Sequence, residues 1–398
     1  MTEPVTYPFS EPERLEVDPN YAVTQNGAGL TRVQLPYGTP AYIATRYEDV
    51  KSVLSDPRFS RELAVGEDEP RVMPYVHRPD ALTTMDPPRH SRLRRVVSKA
   101  FSARRIEALR PSTQQIVDAL LDRMQADGGP VDLMRSYALE VPMLVVCELL
   151  GVPYEDRDRF HDWSAVLAST ASSGVGVEEL QRANEDLRGY LGKLIAQRRA
   201  EPAEDLLSVL AEAHDTDDRL TEDEMVSLAW SVLLAGYEIT AYEIGNFAYT
   251  LLTSPDHLAR LVEDPDLVER AVEELLRQVP LTSASFYPRR ASEDLELGGT
   301  TVKKGEAVLP SMMAANRDEA AFPDAARLDF DREANAHLAF SHGIHHCLGA
   351  QLARMELQVV VKSLIGRFPG LRLAVDPSDV PWRKGSILRG PLTLMVAW

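Results

Sequence analysis

The sequence predicts a mainly α-helical protein with a minor β part, folded as a single domain over residues 1–398. Apolar residues recur at spacings of three and four through several long segments, whereas runs that suit β-strands are few and short. One helix has room for about 30 residues between Thr221 and Pro255. No linker, repeat or low-complexity segment divides the chain. These observations favour one large helical domain built around a long central helix.

Several segments carry the helical or strand pattern clearly. Helical spacing is clearest at 105–127, 177–202, 256–280 and 349–368. Strand-like runs lie at 40–47, 295–311, 371–375 and 392–398. Gly298 and Gly299 predict a hairpin turn inside the second of these runs. Two stretches rich in turn residues, 65–88 and 168–176, predict loops that could form a mobile lid.

Composition excludes several classes of function. The formal charge of −18 argues against a nucleic-acid partner, because binding a polyanion requires a basic surface. Two cysteines, Cys147 and Cys347, are too few for a disulfide framework and fit a reducing compartment. The first residues have no basic start followed by an apolar core, so we expect neither a signal peptide nor a membrane anchor. The expected location is the cytoplasm.

The central helix combines a strong start signal with an unusual buried acid. Thr221 and Glu224 form a capping-box pattern, and Pro255 marks the end. At ~1.5 Å per residue, the helix would be on the order of 45 Å long. Its uncharged run stops at Glu238, short of the ~20 apolar residues that a bilayer requires. A buried carboxylate is costly unless it is used or paired, so Glu238 is interpreted as functional, with a paired structural role as the alternative.

The segment "HLAFSHGIHHCLGAQLARME" at 337–356 first suggests zinc, because four histidines and one cysteine lie close together. Zinc requires four converging ligands, however, and three successive side chains such as those of His345, His346 and Cys347 point in different directions. The sequence shows no second ligand group with C-x-x-C or H-x-x-x-H spacing. Zinc therefore stays open only as the weaker interpretation.

A single thiolate explains the same segment better. Gly343 and Gly349 allow tight turns, and the residues after Cys347 are strongly helical. Cys347 is thus expected on a loop at a helix N-terminus, where free N–H groups and the helix dipole stabilise a thiolate. With Phe340 as an apolar wall seven residues earlier, this arrangement suits an axial ligand to haem iron.

At this point the sequence resembles a known family. "FSHGIHHCLG" is similar to the F-x-x-G-x-H-x-C-x-G pattern of the cytochrome P-450 family, the haem-thiolate monooxygenases. "EELLR" supplies an E-x-x-R pair as Glu274 and Arg277, and Arg327 stands where the family completes a Glu-Arg-Arg network. The segments 85–102 and 233–240 resemble the third helix and the oxygen-binding helix. The resemblance runs end to end and is closest to the soluble bacterial members, which implies their fold, with the long helix over the haem.

The resemblance also implies a cofactor site for haem b. Cys347 corresponds to the axial ligand of the iron, and His345 to a residue that reaches a propionate. His90 and Arg94 lie four residues apart and share a helix face, where paired donors could grip carboxylates. The cofactor-binding positions implied are Cys347, His345, His90, Arg94, Arg289, Phe340 and Gly349.

The resemblance implies partners as well. The chain has no flavin or nicotinamide domain, so electrons should come from an external ferredoxin and its NAD(P)H-dependent reductase. Arg92, Arg95 and Lys99 are expected to point away from His90 around the same helix and could dock an acidic ferredoxin. We expect a monomer that binds a small apolar substrate, with no nucleic acid and no membrane.

The implied function is haem-dependent hydroxylation or epoxidation of an apolar small molecule in natural-product biosynthesis. One alternative is oxidative coupling or rearrangement without oxygen insertion. Another, of a different class, is a non-catalytic haem sensor or a zinc module. The sequence leaves the substrate, the oxidised position and the redox partner undetermined.

One departure from the family concerns proton delivery. After the acid of the oxygen-binding motif the family has a threonine whose hydroxyl helps deliver protons, but here Glu238 is followed by Ile239. Thr240 lies one residue later, about 100° further around the helix. We hypothesise that a substrate hydroxyl, or a water that the substrate orders, completes the relay from Glu238. Glu238 and Thr240 are the candidate catalytic residues.

Overall fold

The computed structural model describes residues 3–167, 174–203, 205–215 and 220–398. Helices dominate this part of the chain, as the apolar spacing predicts. The α-helices are α1 Asn20–Gln25, α2 Tyr47–Ser55, α3 Arg89–Ser98, α4 Ala103–Asp127, α5 Glu140–Leu150, α6 Arg157–Leu167, α7 Val177–Ala200, α8 Leu206–Asp215, α9 Glu222–Leu252, α10 Pro255–Glu263, α11 Val268–Gln278, α12 Met312–Ala315 and α13 Ala350–Arg367. The mainly α fold class is confirmed.

The β part is small and is divided among three sheets in the described residues. The strands are β1 Val5–Thr6, β2 Thr31–Gln34, β3 Ala41–Ala44, β4 Phe59–Ser60, β5 Val131–Asp132, β6 Arg289–Ala291, β7 Leu295–Leu297, β8 Thr300–Val302, β9 Ala307–Pro310, β10 Arg372–Leu373 and β11 Met395–Ala397. The largest sheet has the order β1-β2-β3-β9-β6-β4, the second has the order β10-β11-β5, and β7 pairs with β8. Gly298 and Gly299, with φ of 56° and 79°, form the predicted hairpin turn.

The central helix α9 spans 31 residues and begins at the predicted capping box. The Thr221 hydroxyl accepts from the Glu224 backbone N–H at 3.1 Å, and the Glu224 carboxylate accepts from the Thr221 N–H at 3.0 Å. By length and composition α9 could cross a membrane, but 56% of its most apolar 18-residue stretch is buried inside the protein. It packs against α5, α7 and α13, as expected of a core helix.

One sequence expectation differs from the structure, whereas the predicted loop at 65–88 is present. The periodic segment 256–280 is two helices, because Pro265 cannot continue α10 and starts a 3₁₀ turn before α11. The loop at 65–88 is tied down by a bridge between Tyr37 and Arg71 and by a buried 3₁₀ turn at Leu82–Thr84. Most of the second predicted lid loop, 168–173 of 168–176, lies outside the described residues.

Candidate functional site

The cysteine loop is a closed turn at the start of α13. The Cys347 backbone N–H donates to the Phe340 carbonyl at 2.8 Å, with a 3₁₀ turn at Gly343–His345 inside the loop. Gly343 has φ of 70°, and a Cβ there would collide with the Leu54 carbonyl of α2, so only glycine fits. Gly349 has an ordinary φ of −85°, so a special backbone conformation is not the reason for glycine at that position.

The two cysteines have different surroundings. Cys347 lies on an exposed loop, but neighbouring groups pack around its sulfur. This burial raises the pKa of the thiol overall, and the Gly349 N–H and the guanidinium groups of Arg94 and Arg354 partly offset the rise. Cys147 is buried in α5, and burial raises the pKa of that thiol to about 12. Only Cys347 combines access with groups that favour a thiolate, so it is the cysteine suited to bind a metal.

A cluster of nitrogen donors lies beside the cysteine loop. The rings of His90 and His345 are 4.4 Å apart. Their Nε2 atoms and the Nε of Arg289 are buried, and none has a hydrogen-bond partner among the described residues. Burial, and then the charges of Arg289 and His90, lower the pKa of His345 to about 2. Burial, and then Arg94, lower the pKa of His90 to about 4.

These unsatisfied donors fit a missing anion. Buried donors in native proteins are almost always paired, and mutually repelling cationic groups gather where a negative group binds. Burial, followed by a neighbouring arginine, also lowers the pKa of Arg289 to about 10. The carboxylates of a haem would satisfy the donors, and Cys347 is available as a thiolate ligand. The residues present therefore fit a haem with its propionates at His90, His345 and Arg289.

Arg94 connects α3 to the cysteine loop. Its guanidinium donates to the His346 carbonyl. Burial lowers the pKa of Arg94, and the charge of Cys347 opposes that effect, which places the guanidinium within electrostatic reach of the thiolate. Arg94 thus fixes the loop that presents the cysteine.

The central helix exposes one face in its middle. Ile239 is 38% exposed, whereas Glu238 and Thr240 on either side are 3% and 6% exposed. Ala235, one turn earlier on the same face, is also exposed. Ala235 and Ile239 therefore form one accessible face in a largely buried stretch of α9. Ile239 occupies that face, and the Thr240 side chain does not share it.

Glu238 is paired, by a residue that the sequence did not indicate. Its Oε1 accepts from Arg383 Nη1 at 2.9 Å, and the Arg383 guanidinium lies 4.4 Å from the Tyr242 ring. Burial tends to lower the pKa of Arg383, but the Glu238 carboxylate raises it overall. Nothing in the sequence links two residues 145 positions apart. Glu238 is therefore not a free acid but one half of a buried ion pair.

The predicted Glu-Arg-Arg network is present with a different third member. Arg277 donates to both Glu274 oxygens at 2.7 and 2.8 Å. Arg332, not Arg327, completes the network, because its Nε lies 3.2 Å from Glu274 Oε2. Arg327 is exposed and contributes only its backbone carbonyl to Arg277. The prediction of Arg327 was wrong.

Of the predicted docking residues Arg92, Arg95 and Lys99, only the last two are exposed. Arg92 forms an ion pair with Glu224 at the start of α9, which engages its side chain within the protein. Arg95 and Lys99 are exposed. In the parts of the chain that the structure describes, no group of three or more His, Cys, Asp or Glu side chains could hold a metal ion, so the zinc interpretation has no support there.

A helical fold, a thiol at the start of a helix and unsatisfied donors beside it are typical of the haem-thiolate oxidoreductases. Comparison with known proteins agrees with this class. The family model described as Cytochrome P450 matches residues 159–396. The chain belongs to the cytochrome P450 family and is a monooxygenase of the bacterial type.

Similar proteins cover the whole chain. The chain is 49% identical to a mycinamicin IV hydroxylase/epoxidase of Micromonospora griseorubida, over 100% of this chain and 99% of the relative. It is 50% identical to a nocardicin C N-oxygenase of Nocardia uniformis subsp. tsuyamanensis, with the same coverage. A crystal structure described as HinD with NMFT and NO superimposes with a TM-score of 0.97 at 48% identity, covering 100% of both chains.

Proposed function

We propose that this protein hydroxylates or epoxidises an apolar small molecule during natural-product biosynthesis, as a cytoplasmic, monomeric enzyme with one domain over 1–398. The observation that carries the proposal is the 49% identity to a mycinamicin IV hydroxylase/epoxidase over the whole chain. Open apolar surface on α9, at Ala235 and Ile239, supports an apolar substrate.

Haem b, when bound, supplies the activation of dioxygen that monooxygenation requires. Cys347 is the proposed axial ligand, because it lies on an exposed loop at the start of α13, and the Gly349 N–H, Arg94 and Arg354 partly offset the burial that raises its thiol pKa. His90, His345 and Arg289 are proposed to hold the propionates through their unpartnered donors. Phe340 lines the loop as an apolar wall, and Arg354 stacks over its ring at 4.5 Å.

The arrangement of α9 supports a proton relay that depends on the substrate. Ile239 has no hydroxyl, and Thr240 is buried away from the open face. Glu238 is the proposed proton carrier, but Arg383 holds its Oε1. A substrate hydroxyl or a substrate-ordered water at the open face would take the place of the hydroxyl that Ile239 lacks. A proton could then pass from Glu238 through that group to the reacting centre.

Electrons are proposed to come from a ferredoxin and its NAD(P)H-dependent reductase. Arg95 on α3 and Lys99 directly after it are exposed, and the inner face of the same helix carries His90, so a partner docked there would be near the cofactor. Arg92 takes a smaller part than the sequence predicted, because Glu224 already pairs with it.

The experiment that tests this function is a substrate screen followed by isotope labelling. Purified protein would be titrated with macrolide and peptide natural products, and binding would be read from the shift of the haem absorption band. A binder would then be turned over with ferredoxin, reductase and NADPH under ¹⁸O-labelled dioxygen. One labelled oxygen in the product is the expected result. A coupled or rearranged product without label would contradict monooxygenation and favour the oxidative-coupling alternative.

A further inference from the structure

Arg61 lies beside Arg289 at the end of two paired strands. β4 and β6 are antiparallel, with Phe59 opposite Ala291 and Ser60 opposite Arg290. Arg61 follows β4 directly, with helical backbone angles at the start of a 3₁₀ turn, and its Nη1 donates to the carbonyl of Pro288, the residue before Arg289. Arg289 in turn donates from Nη1 to the Phe59 carbonyl at 3.4 Å, so two like charges lie close together and repel each other. Arg61 is 2% exposed and Arg289 is 4% exposed, so water does not screen this repulsion well.

The rest of the protein holds the Arg61 guanidinium in place but leaves one nitrogen unused. Its Nε donates to the Thr83 carbonyl at 3.1 Å, and its Nη1 donates to the Pro288 carbonyl. The guanidinium lies 5.0 Å from the Tyr287 ring. Its Nη2 is buried and has no hydrogen-bond partner in the described residues. A buried, positioned and unsatisfied donor indicates a ligand that brings its own acceptor.

The acids nearest to Arg61 are already engaged. The Asp86 carboxylate accepts from the Ser60 hydroxyl and from the backbone N–H groups of Arg61 and Glu62. The Glu69 carboxylate lies 2.7 Å from Nδ1 of His77. Among the described residues, neither acid accepts a hydrogen bond from the Arg61 guanidinium. The charges of Glu69 and Asp86 favour the protonated form of Arg61 and partly oppose the burial that lowers its pKa, but neither acid satisfies its Nη2.

Arg61 also acts on the residues of the proposed haem site. Burial lowers the pKa of Arg289, and the neighbouring charge of Arg61 lowers it further. Two buried guanidinium groups with unsatisfied nitrogens thus lie side by side, Arg61 directly after β4 and Arg289 in β6, and the His345 Nε2 of the cysteine loop is unsatisfied as well. A single carboxylate cannot satisfy all of them, but a haem carries two.

We propose that Arg61 is a further propionate-binding residue, which donates from Nη2 to a haem carboxylate beside Arg289 and His345. This inference rests on the proposed haem site. The ligand chemistry is a carboxylate, which a haem propionate or an acidic substrate could supply, and the experiment below distinguishes these sources.

The test compares Arg61→Met with Arg71→Met. Arg71 is a matched control: it is buried, donates to the carbonyls of Glu67 and Glu69, lies 5.0 Å from the Tyr37 ring and has an unpartnered Nε in the described structure. Transfer of haem from each holoprotein to excess apomyoglobin measures the dissociation rate without substrate. Each protein is then reconstituted with haem dimethyl ester, which has no carboxylates.

With ordinary haem, Arg61→Met should raise the dissociation rate on the order of tenfold, the effect of losing one charge-assisted hydrogen bond, while Arg71→Met stays near wild type. With the dimethyl ester, the difference between Arg61→Met and wild type should disappear. Should Arg61→Met fail to accumulate as folded protein, Arg61→Gln takes its place, with the same expected order of rates.

Three outcomes would overturn the proposal. Arg61→Met could retain ordinary haem as wild type does, which would mean that Arg61 serves another anion such as a substrate carboxylate. Both variants could lose haem equally, or Arg61→Met could lose the dimethyl ester faster too, and either result would assign Arg61 to packing alone. Failure of the proposed function is distinct, because then the wild-type protein itself would hold no haem with a thiolate spectrum.

Discussion

Removing Arg383 should destabilise the protein strongly, because it would leave Glu238 as a buried and unpaired carboxylate. The two side chains are 11% and 3% exposed, and their charged atoms are 2.9 Å apart. Breaking such a pair by removing one partner costs ~3–5 kcal/mol. Loss of the contact with the Tyr242 ring adds ~0.5–2 kcal/mol. Arg383→Met should therefore lower the free energy of unfolding by about 4 kcal/mol.

A double-mutant cycle measures how much of this loss belongs to the pair. Glu238→Gln added to Arg383→Met removes the unpaired charge, so the double variant should recover about 2 kcal/mol relative to the sum of the single effects. The assay is urea unfolding followed by circular dichroism and tryptophan fluorescence. Arg260→Met is the control, since Arg260 pairs with Asp331 at 2.8 Å but both side chains are exposed, at 43% and 61%. Its effect should stay below ~1 kcal/mol.

The reasoning fails if Arg383→Met destabilises no more than Arg260→Met, or if the effects of Glu238→Gln and Arg383→Met simply add. Either result would mean that the buried pair contributes nothing specific. The same variants also report on function. Glu238→Gln should slow product formation, because the amide cannot carry a proton to the reacting centre.

Three further predictions follow from the described contacts. Arg332→Met should lower the free energy of unfolding by ~2–3 kcal/mol, since its Nε bonds to Glu274 are lost, whereas Arg327→Met should change it by less than ~0.5 kcal/mol in the same urea assay; equal effects would contradict the corrected network. Burial raises the pKa of Glu243 from 4.5 to about 8. Between these two pH values the carboxyl is protonated in the folded protein and ionised in the unfolded chain. Stability should therefore fall as pH rises through that window, by up to ~1.4 kcal/mol per pH unit, and Glu243→Gln should flatten the fall; an unchanged slope would show that Glu243 ionises freely. Ile239→Thr should raise the fraction of reducing equivalents that become product with a poor surrogate substrate and change little with the true one. If coupling stays unchanged while Thr240→Ala abolishes turnover, Thr240 delivers the proton instead.

Local signals in the sequence predicted the elements that frame the site. The capping box at Thr221 and Glu224 fixed the start of α9, because both halves of that motif lie within four residues. Paired glycines predicted the β7-β8 hairpin for the same reason. The cysteine loop was also predictable, because its glycines, its thiol and the helix that follows are contiguous in the chain.

Features that depend on long-range geometry could not be predicted in this way. Arg327 and Arg332 are both arginines of the same segment, and the sequence does not show which of them faces Glu274. Only the path of the backbone shows that Arg332 turns inward. Arg383 meets Glu238 because the C-terminal segment folds back onto α9. Arg61 comes close to Arg289 only because β4 pairs with β6. The sequence also gave no sign that Arg92 would be drawn into an ion pair with Glu224.

The central claim is that Cys347 is the thiolate ligand of a haem, and the absorption spectrum of the reduced protein with carbon monoxide tests it most directly. Wild-type protein and Cys147→Ser should both show the strongly red-shifted band of thiolate-ligated haem, because Cys147 is buried in α5 with its thiol pKa raised to about 12. Cys347→Ser should lose that band. A Cys347→Ser protein that keeps the band, or a wild-type protein that carries stoichiometric zinc and no iron, would contradict the account.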